Sequence, residues 1–145
     1  MPACARAAEA EPFRFVGDPV DVVTGAVSDR TRDFRLIGPL FLDWFRSYDS
    51  SQNKTLCSLG WGHGHAYSWR IVFDADGLSA IDPVGRRIGF PALREEGARE
   101  RNGPLTLERV GLRIYRLHRP GEPVFEFTFQ KLAEAAGLTR VFRGD

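Results

Sequence analysis

The sequence predicts an all-β fold: an antiparallel meander forming a curved sheet or a partial sandwich. Three observations predict it. Large apolar residues alternate with polar ones over several short stretches. Turn-forming Gly, Pro, Asp and Asn punctuate the chain at short intervals. Short strand-like stretches at this spacing mean a meander rather than βαβ units.

Taken in order, Leu40 to Tyr48 is rich in aromatics and alternates, with Leu40, Leu42 and Trp44 on one side. Tyr67, Trp69, Ile71 and Phe73 alternate with Ser68, Arg70, Val72 and Asp74. Val110, Leu112 and Ile114 repeat the pattern, as do Phe125, Phe127 and Phe129. A period of two puts each set on one face of a strand, where β-branched and aromatic side chains pack well. Turns are predicted at Gly17-Asp18-Pro19, Thr24-Gly25, Gly38-Pro39, Asp76-Gly77, Asp82-Pro83 with Gly85, Asn102-Gly103-Pro104 and Pro120-Gly121. Asp76-Gly77, between Phe73 and Leu78, is the clearest hairpin. The charged stretch Pro91 to Gly103 reads as an exposed loop or a single helical turn. Lys131 to Ala136 reads as a short helix stopped by Gly137.

The totals bound the function. The 145 residues suffice for one domain with one modest core. A net charge of +1, with basic residues evenly spread, gives no broad attraction to nucleic acid or an anionic membrane. No stretch approaches the ~20 apolar residues of a membrane helix. Met1 to Ala10 carries Arg6 and Glu9 and lacks the apolar core of a signal peptide. The two cysteines, Cys4 and Cys57, form neither a disulfide framework nor the paired spacing of a zinc site.

Candidate chemistry is sparse. Asp18 and Asp21 could pair as acid and base, but the Gly-Asp-Pro context reads as a turn with Asp18 capping local amides. His63 and His65 supply two imidazoles, with Cys57 upstream and His118 far off in a strand, which falls short of a metal site. Their rings are expected to pack beside Trp61 or face solvent. Cys57 with either histidine lacks an oxyanion loop and an orienting third group, and reads as a small buried residue. Gly60, Gly62 and Gly64 lack the Lys-Ser/Thr of a phosphate loop and read as a tight bend where strands approach closely. Trp44, Phe45, Tyr48, Trp61, Tyr67 and Trp69 are expected to fill a core rather than to stack on sugars or bases. The chain is therefore expected to be no enzyme and to hold no cofactor or metal.

Four segments, in order, carry a family resemblance. They are Gly17-Asp18-Pro19-Val20-Asp21-Val22-Val23-Thr24-Gly25; Gly38-Pro39-Leu40 through Arg46-Ser47-Tyr48-Asp49-Ser50; Leu59-Gly60-Trp61-Gly62-His63-Gly64-His65-Ala66-Tyr67; and Asp82-Pro83-Val84-Gly85-Arg86-Arg87-Ile88-Gly89-Phe90-Pro91. Together they resemble the N-terminal domain that opens the core of Rhs (YD-repeat) polymorphic toxins. The match is best over 17–91 and looser beyond. Residues 1–12 read as a disordered N-terminus and 13–136 as the β-domain. Residues 137–145 resemble the lead-in to a first Rhs repeat. Neither the YD repeats, the C-terminal cleavage region and toxin, nor an upstream PAAR spike or membrane helices occur in these residues, so the chain is expected to be a fragment or split product.

The resemblance implies a non-catalytic wall segment of a β-cocoon that encloses a C-terminal toxin. Its implied partners are the Rhs repeats and the toxin, in cis or in trans, with secretion spike proteins and a chaperone; nucleic acid and membrane are not among them. Such a protein would be cytoplasmic before export by a signal-peptide-independent route, type VI secretion in many relatives. A segment cut from a cocoon is expected to leave an open strand edge that recruits other strands. The rival expectation is a stand-alone β-domain that binds carbohydrate or a protein partner, marked by a row of exposed coplanar aromatics.

Overall fold

The computed structural model describes residues 15–16, 18–131 and 135–144. The all-β prediction holds. A short antiparallel pair, β1 (Phe15–Val16) and β2 (Asp18–Asp21), leads in. Strands β3 (Ser28–Leu36) and β4 (Leu42–Asp49) then pair over almost their whole length. Asp49 ends β4 and caps a single 3-10 turn, Ser50–Gln52, by accepting the Ser51 amide at 2.9 Å. A two-residue pair follows, β5 (Leu56–Cys57) and β6 (Gly60–Trp61). Next, β7 (His63–His65) returns to β4, giving a three-stranded sheet in the order β3-β4-β7.

The rest of the chain builds a second sheet. Its strands are β8 (Arg70–Asp74), β9 (Gly77–Ile81), β10 (Arg87–Pro91), β11 (Arg99–Asn102), β12 (Leu105–Gly111), β13 (Ile114–His118), β14 (Val124–Thr128) and β15 (Ala136–Phe142). Their order is β10-β9-β8-β15-β14-β13-β12-β11, with every neighbouring pair antiparallel. The last strand, β15, joins the two meanders by pairing Ala136 with Ile71 and Gly137 with Arg70. The end strands β10 and β11 come back beside each other, where Asn102 Nδ2 donates to the Gly89 carbonyl at 2.8 Å. The eight strands therefore form a nearly closed barrel, which covers the edges that a flat sheet would expose.

The barrel is filled in part by predicted alternating residues, Ile71 and Phe125, Phe127 and Phe129, although Tyr67 and Trp69 of the expected Tyr67–Phe73 strand lie before β8 and Phe73 is 40% exposed. Ile71, Leu107, Leu117, Phe125, Phe127 and Phe129 are its largest fully buried side chains. Phe129 packs against Phe73 at 4.7 Å and edge-on against Tyr115 at 5.6 Å. On the opposite face, register sets five charges in one cross-strand row: Arg99, Glu108, Arg116, Glu126 and Arg140. Arg99 meets Glu108 at 2.8 Å, and Glu126 receives Arg116 at 3.0 Å and Arg140 at 3.6 Å. Alternating signs on facing positions stabilise each strand pair. The arginine stems cover the two glutamates, whose side chains are about a tenth exposed or less.

Four expectations are corrected. Val110, Leu112 and Ile114 do not share a strand: β12 ends at Gly111, and Leu112, 69% exposed, lies at the tip of the β12–β13 hairpin. The inward positions of β12 are instead Leu105 and Leu107. The charged stretch Pro91 to Gly103 contains β11, an end strand whose charges face water. Leu40 lies before β4, which begins at Leu42. Ala136 and Gly137 open β15 rather than end a helix; residues 132–134 of that expected helix, and the 1–12 terminus, lie outside the described residues. Asp76-Gly77 does mark a hairpin, with β8 and β9 closing at the Asp74–Gly77 pair.

Truncating Phe127, which has no exposed surface, is expected to destabilise the fold by about 3–5 kcal/mol as Phe127→Ala, read from the urea midpoint.

Candidate functional site

The four segments singled out in the sequence converge at the joint between the two sheets. Gly17 lies outside the described residues. Asp18 and Pro19 lie in strand β2, not in a turn as expected; the turn comes after them. There Asp21 Oδ1 accepts the amides of Val23 at 2.8 Å and Thr24 at 3.3 Å. Those bonds, the Val23 amide first, hold the Asp21 carboxyl below its usual range. Gly25 closes the loop at φ +70°, donating to the Asp21 carbonyl at 2.7 Å.

From this turn, polar bonds run through the next two segments. Val20 bridges to Val27. Val27 N donates to Ser50 Oγ and Ser50 N donates to the Val27 carbonyl, both at 2.8 Å. Asp49 N donates to the Gly62 carbonyl and Gly62 N donates to the Thr55 carbonyl, both at 3.0 Å. Gly62 holds φ +68°, and a Cβ there would come within 2.8 Å of the Asp49 carbonyl oxygen. Gly60 holds φ +118° at the β5–β6 turn.

Gly64 makes the tightest contact. A Cβ on it would overlap the Pro83 carbonyl, so β7 lies directly on the β9–β10 turn. That turn is built by Asp82, whose Oδ1 accepts the amides of Val84 at 3.0 Å and Arg86 at 2.9 Å. Gly85 holds φ +95°, and a Cβ there would come within 2.9 Å of Thr55 Cγ2. Phe90 is buried in the barrel core, whereas Pro91 is exposed at the end of β10. The joint is completed by rings: Trp44 lies 5.8 Å from Tyr67, which lies 5.8 Å from Phe125, and the Arg119 guanidinium sits 4.3 Å above Phe125.

The candidate catalytic and metal residues are absorbed into this packing. The His63 ring lies 4.4 Å from Tyr48, and its Nδ1 sits 2.8 Å from the Trp61 carbonyl. The His65 ring stacks on Trp44 at 4.5 Å, and burial pushes its pKa below the usual value. The aromatic neighbours of both histidines therefore come from β4 and not from the Trp61 ring; of the two expected arrangements, His63 takes the solvent-facing one, while His65 is half-buried. Among the described residues no group of three or more His, Cys, Asp or Glu is placed to hold a metal ion. Burial raises the Cys57 thiol, the wrong direction for a nucleophile, and its Sγ lies 3.7 Å from the Thr55 carbonyl. Arg46 forms a two-pronged pair with Asp33, at 2.8 Å through Nη2. Ser47 Oγ is buried without a hydrogen-bond partner among the described residues.

Two surface features remain. Trp61 is exposed, but Trp69 is buried, so these two rings form no shared platform. In contrast, β3 is an end strand that pairs with β4 alone among the described residues. On it Phe34 and Leu36 are partly exposed, and Ile37, just after it, is 88% exposed. Sequence periodicity missed this feature, because β3 (SDRTRDFRL) lacks an apolar alternation. No helix among the described residues is long and apolar enough to cross a membrane.

Gly64→Ala is expected to destabilise the protein by about 3 kcal/mol or more, whereas Gly137→Ala, with open space around it, is expected to stay near wild type in the same urea titration. The His65 pKa is depressed on folding, so the unfolded chain takes up the proton first as pH falls. Stability from this group is complete above about pH 6.5 and declines below it. The melting temperature should therefore fall between pH 7.5 and 5.5, and His65→Asn should flatten that slope.

No curated protein matches the chain. One family model, described as a domain of unknown function, DUF6531, matches residues 17–90. That span starts at the first of the four segments and reaches the fourth, so it covers both sides of the joint and more than half of the sequence. The chain belongs to the DUF6531 family.

Proposed function

We propose that this chain is a non-catalytic structural segment of an Rhs-type toxin shell, and that it joins the shell by strand addition at β3. The observation that carries the reading is the outer edge of β3, nine residues long and without a ladder partner among the described residues, with Phe34 and Leu36 exposed on the strand and Ile37 exposed just after it. Unpaired backbone donors and acceptors beside an apolar strip are what an incoming strand needs. The ordered segments within 17–90 support the same family context. In this reading the partners are YD-repeat strands and the enclosed toxin, with spike proteins and a chaperone acting in export. The chain is then cytoplasmic until it leaves by a signal-peptide-independent route such as type VI secretion, and serves bacterial competition. The alternative is a stand-alone module that binds glycan or protein through the exposed hairpin residues Leu56 and Trp61, which face each other across β5 and β6.

The test is to mix the chain with a YD-repeat segment and follow amide exchange. The two should co-elute, with new protection confined to 28–36. Leu36→Asp with Ile37→Asp should weaken the complex about tenfold and leave the melting temperature close to wild type, because these side chains are 54% and 88% exposed. Unchanged exchange along β3 in the presence of repeats would overturn the reading and leave the stand-alone module.

A further inference from the structure

A cavity of about 630 Å³ opens on the outer face of β8, β9 and β10, and arginines dominate its lining. Register explains why. Arg70 on β8 and Arg87 on β10 both pair with Ile81 on β9, so the two stems rise on either side of one apolar residue. Arg86 reaches the same space from the β9–β10 turn, and Gln52 and Thr55 close it from the turn that follows β4. On the far side of Arg70 stands Gly137 of β15, which has no side chain to cover it.

Two of the three guanidiniums are held in place from one edge only. Asp82 Oδ2 accepts from Arg86 Nε at 2.8 Å, and Asp82 is itself fixed by two backbone amides. Asp74 Oδ1 accepts from Arg87 Nη2 at 2.6 Å, and Asp74 is also bonded to Ser79 Oγ. The other N–H groups of both forks remain as donors. Arg70 is half-buried and makes no ion pair among the described residues. Three cations therefore have two carboxylate partners among the described residues, leaving a unit of positive charge at the cavity, and the forks of Arg86 and Arg87 are already oriented.

From this geometry we infer that the cavity is an oxyanion site of the phosphate class. The planar guanidinium fork matches a phosphate's oxygens with two parallel bonds. The volume lies within the range of small-molecule sites. No aromatic ring lines the cavity, so it offers a base no stacking surface and favours phosphate or a small phosphate monoester. This inference is independent of how β3 is used.

The experiment is a titration of the folded chain with inorganic phosphate, followed by amide chemical shifts and calorimetry at constant ionic strength, with sodium chloride and acetate as comparators. Phosphate should bind at one site, shift the amides of Arg86 and Arg87, and lose about tenfold in affinity in Arg70→Gln. Arg94→Gln, an exposed arginine outside the cavity, should bind as wild type. A melt without phosphate checks that Arg70→Gln folds; if it does not, Arg87→Gln takes its place with the same expected loss. Equal shifts with chloride or acetate would overturn the inference, as would unchanged phosphate affinity in the folded arginine variant.

Discussion

The close approach of the Gly64 backbone to the Pro83 carbonyl is the constraint on which the two-sheet arrangement depends. Any side chain at 64 would hold β7 away from the β9–β10 turn. Once that contact is made, the neighbouring requirements follow. Gly62 must fold back under Asp49, Gly85 must accommodate Thr55, and Asp82 must tie the turn on which Gly64 rests. The family segments that are far apart in sequence are thus one physical unit. Two of them carry glycines that meet the opposite backbone or side chain, one supplies the Ser50 and Asp49 bonds, and one supplies the Asp21 turn that docks on Val27. The residues that read as candidate chemistry are there because packing at a joint demands small residues, local capping and flat rings.

The barrel is specified by a different device. Each strand is short, and a shift by one residue would exchange its two faces. In β14 that shift would carry Glu126 into the core and Phe125 and Phe127 into the charged row. Both glutamates of the row are covered by arginine stems and hydrogen-bonded, so a slipped register would lose the pairs and bury the carboxylates unmatched. The row and the phenylalanine core therefore select the same alignment from opposite sides of the sheet.

The parts of this structure legible in the sequence are those with local signals. Phe125, Phe127 and Phe129 announce their strand, Asp76-Gly77 its hairpin, and the spaced glycines of 60–64 a close approach. The misread parts follow from the same limits. Alternation through Val110, Leu112 and Ile114 survives a two-residue hairpin without a break in period, and only Gly111 hints at the turn. Strand β11 consists of Arg99-Glu100-Arg101-Asn102 and has no apolar face to detect. The charged row joins residues on five strands, and the arginine cavity joins three strands to the turns of Ser50–Gln52 and Gly85, so neither has a sequence spacing to read.

The contrast between the two sheets bears on the strand addition proposed at β3. The barrel brings its end strands β10 and β11 beside each other and bonds the Asn102 side chain to the Gly89 carbonyl, so its two edges face one another. The small sheet does not close. The charges on β3 that would ordinarily guard an edge are engaged sideways with β4: Arg32 and Arg35 with Asp43, and Asp33 with Arg46. They stabilise the β3–β4 pair, and among the described residues no strand pairs with the outer backbone of β3. The register shift between Arg32 and Phe34 acts in the other direction, because a bulge twists a strand and interrupts an incoming ladder. A strand added at β3 would therefore pair on one side of Asp33 before the other. The side nearer Leu36 carries the exposed apolar residues, so the hydrophobic contribution to docking is concentrated there, while Ser28 to Arg32 offers backbone bonding with little apolar surface.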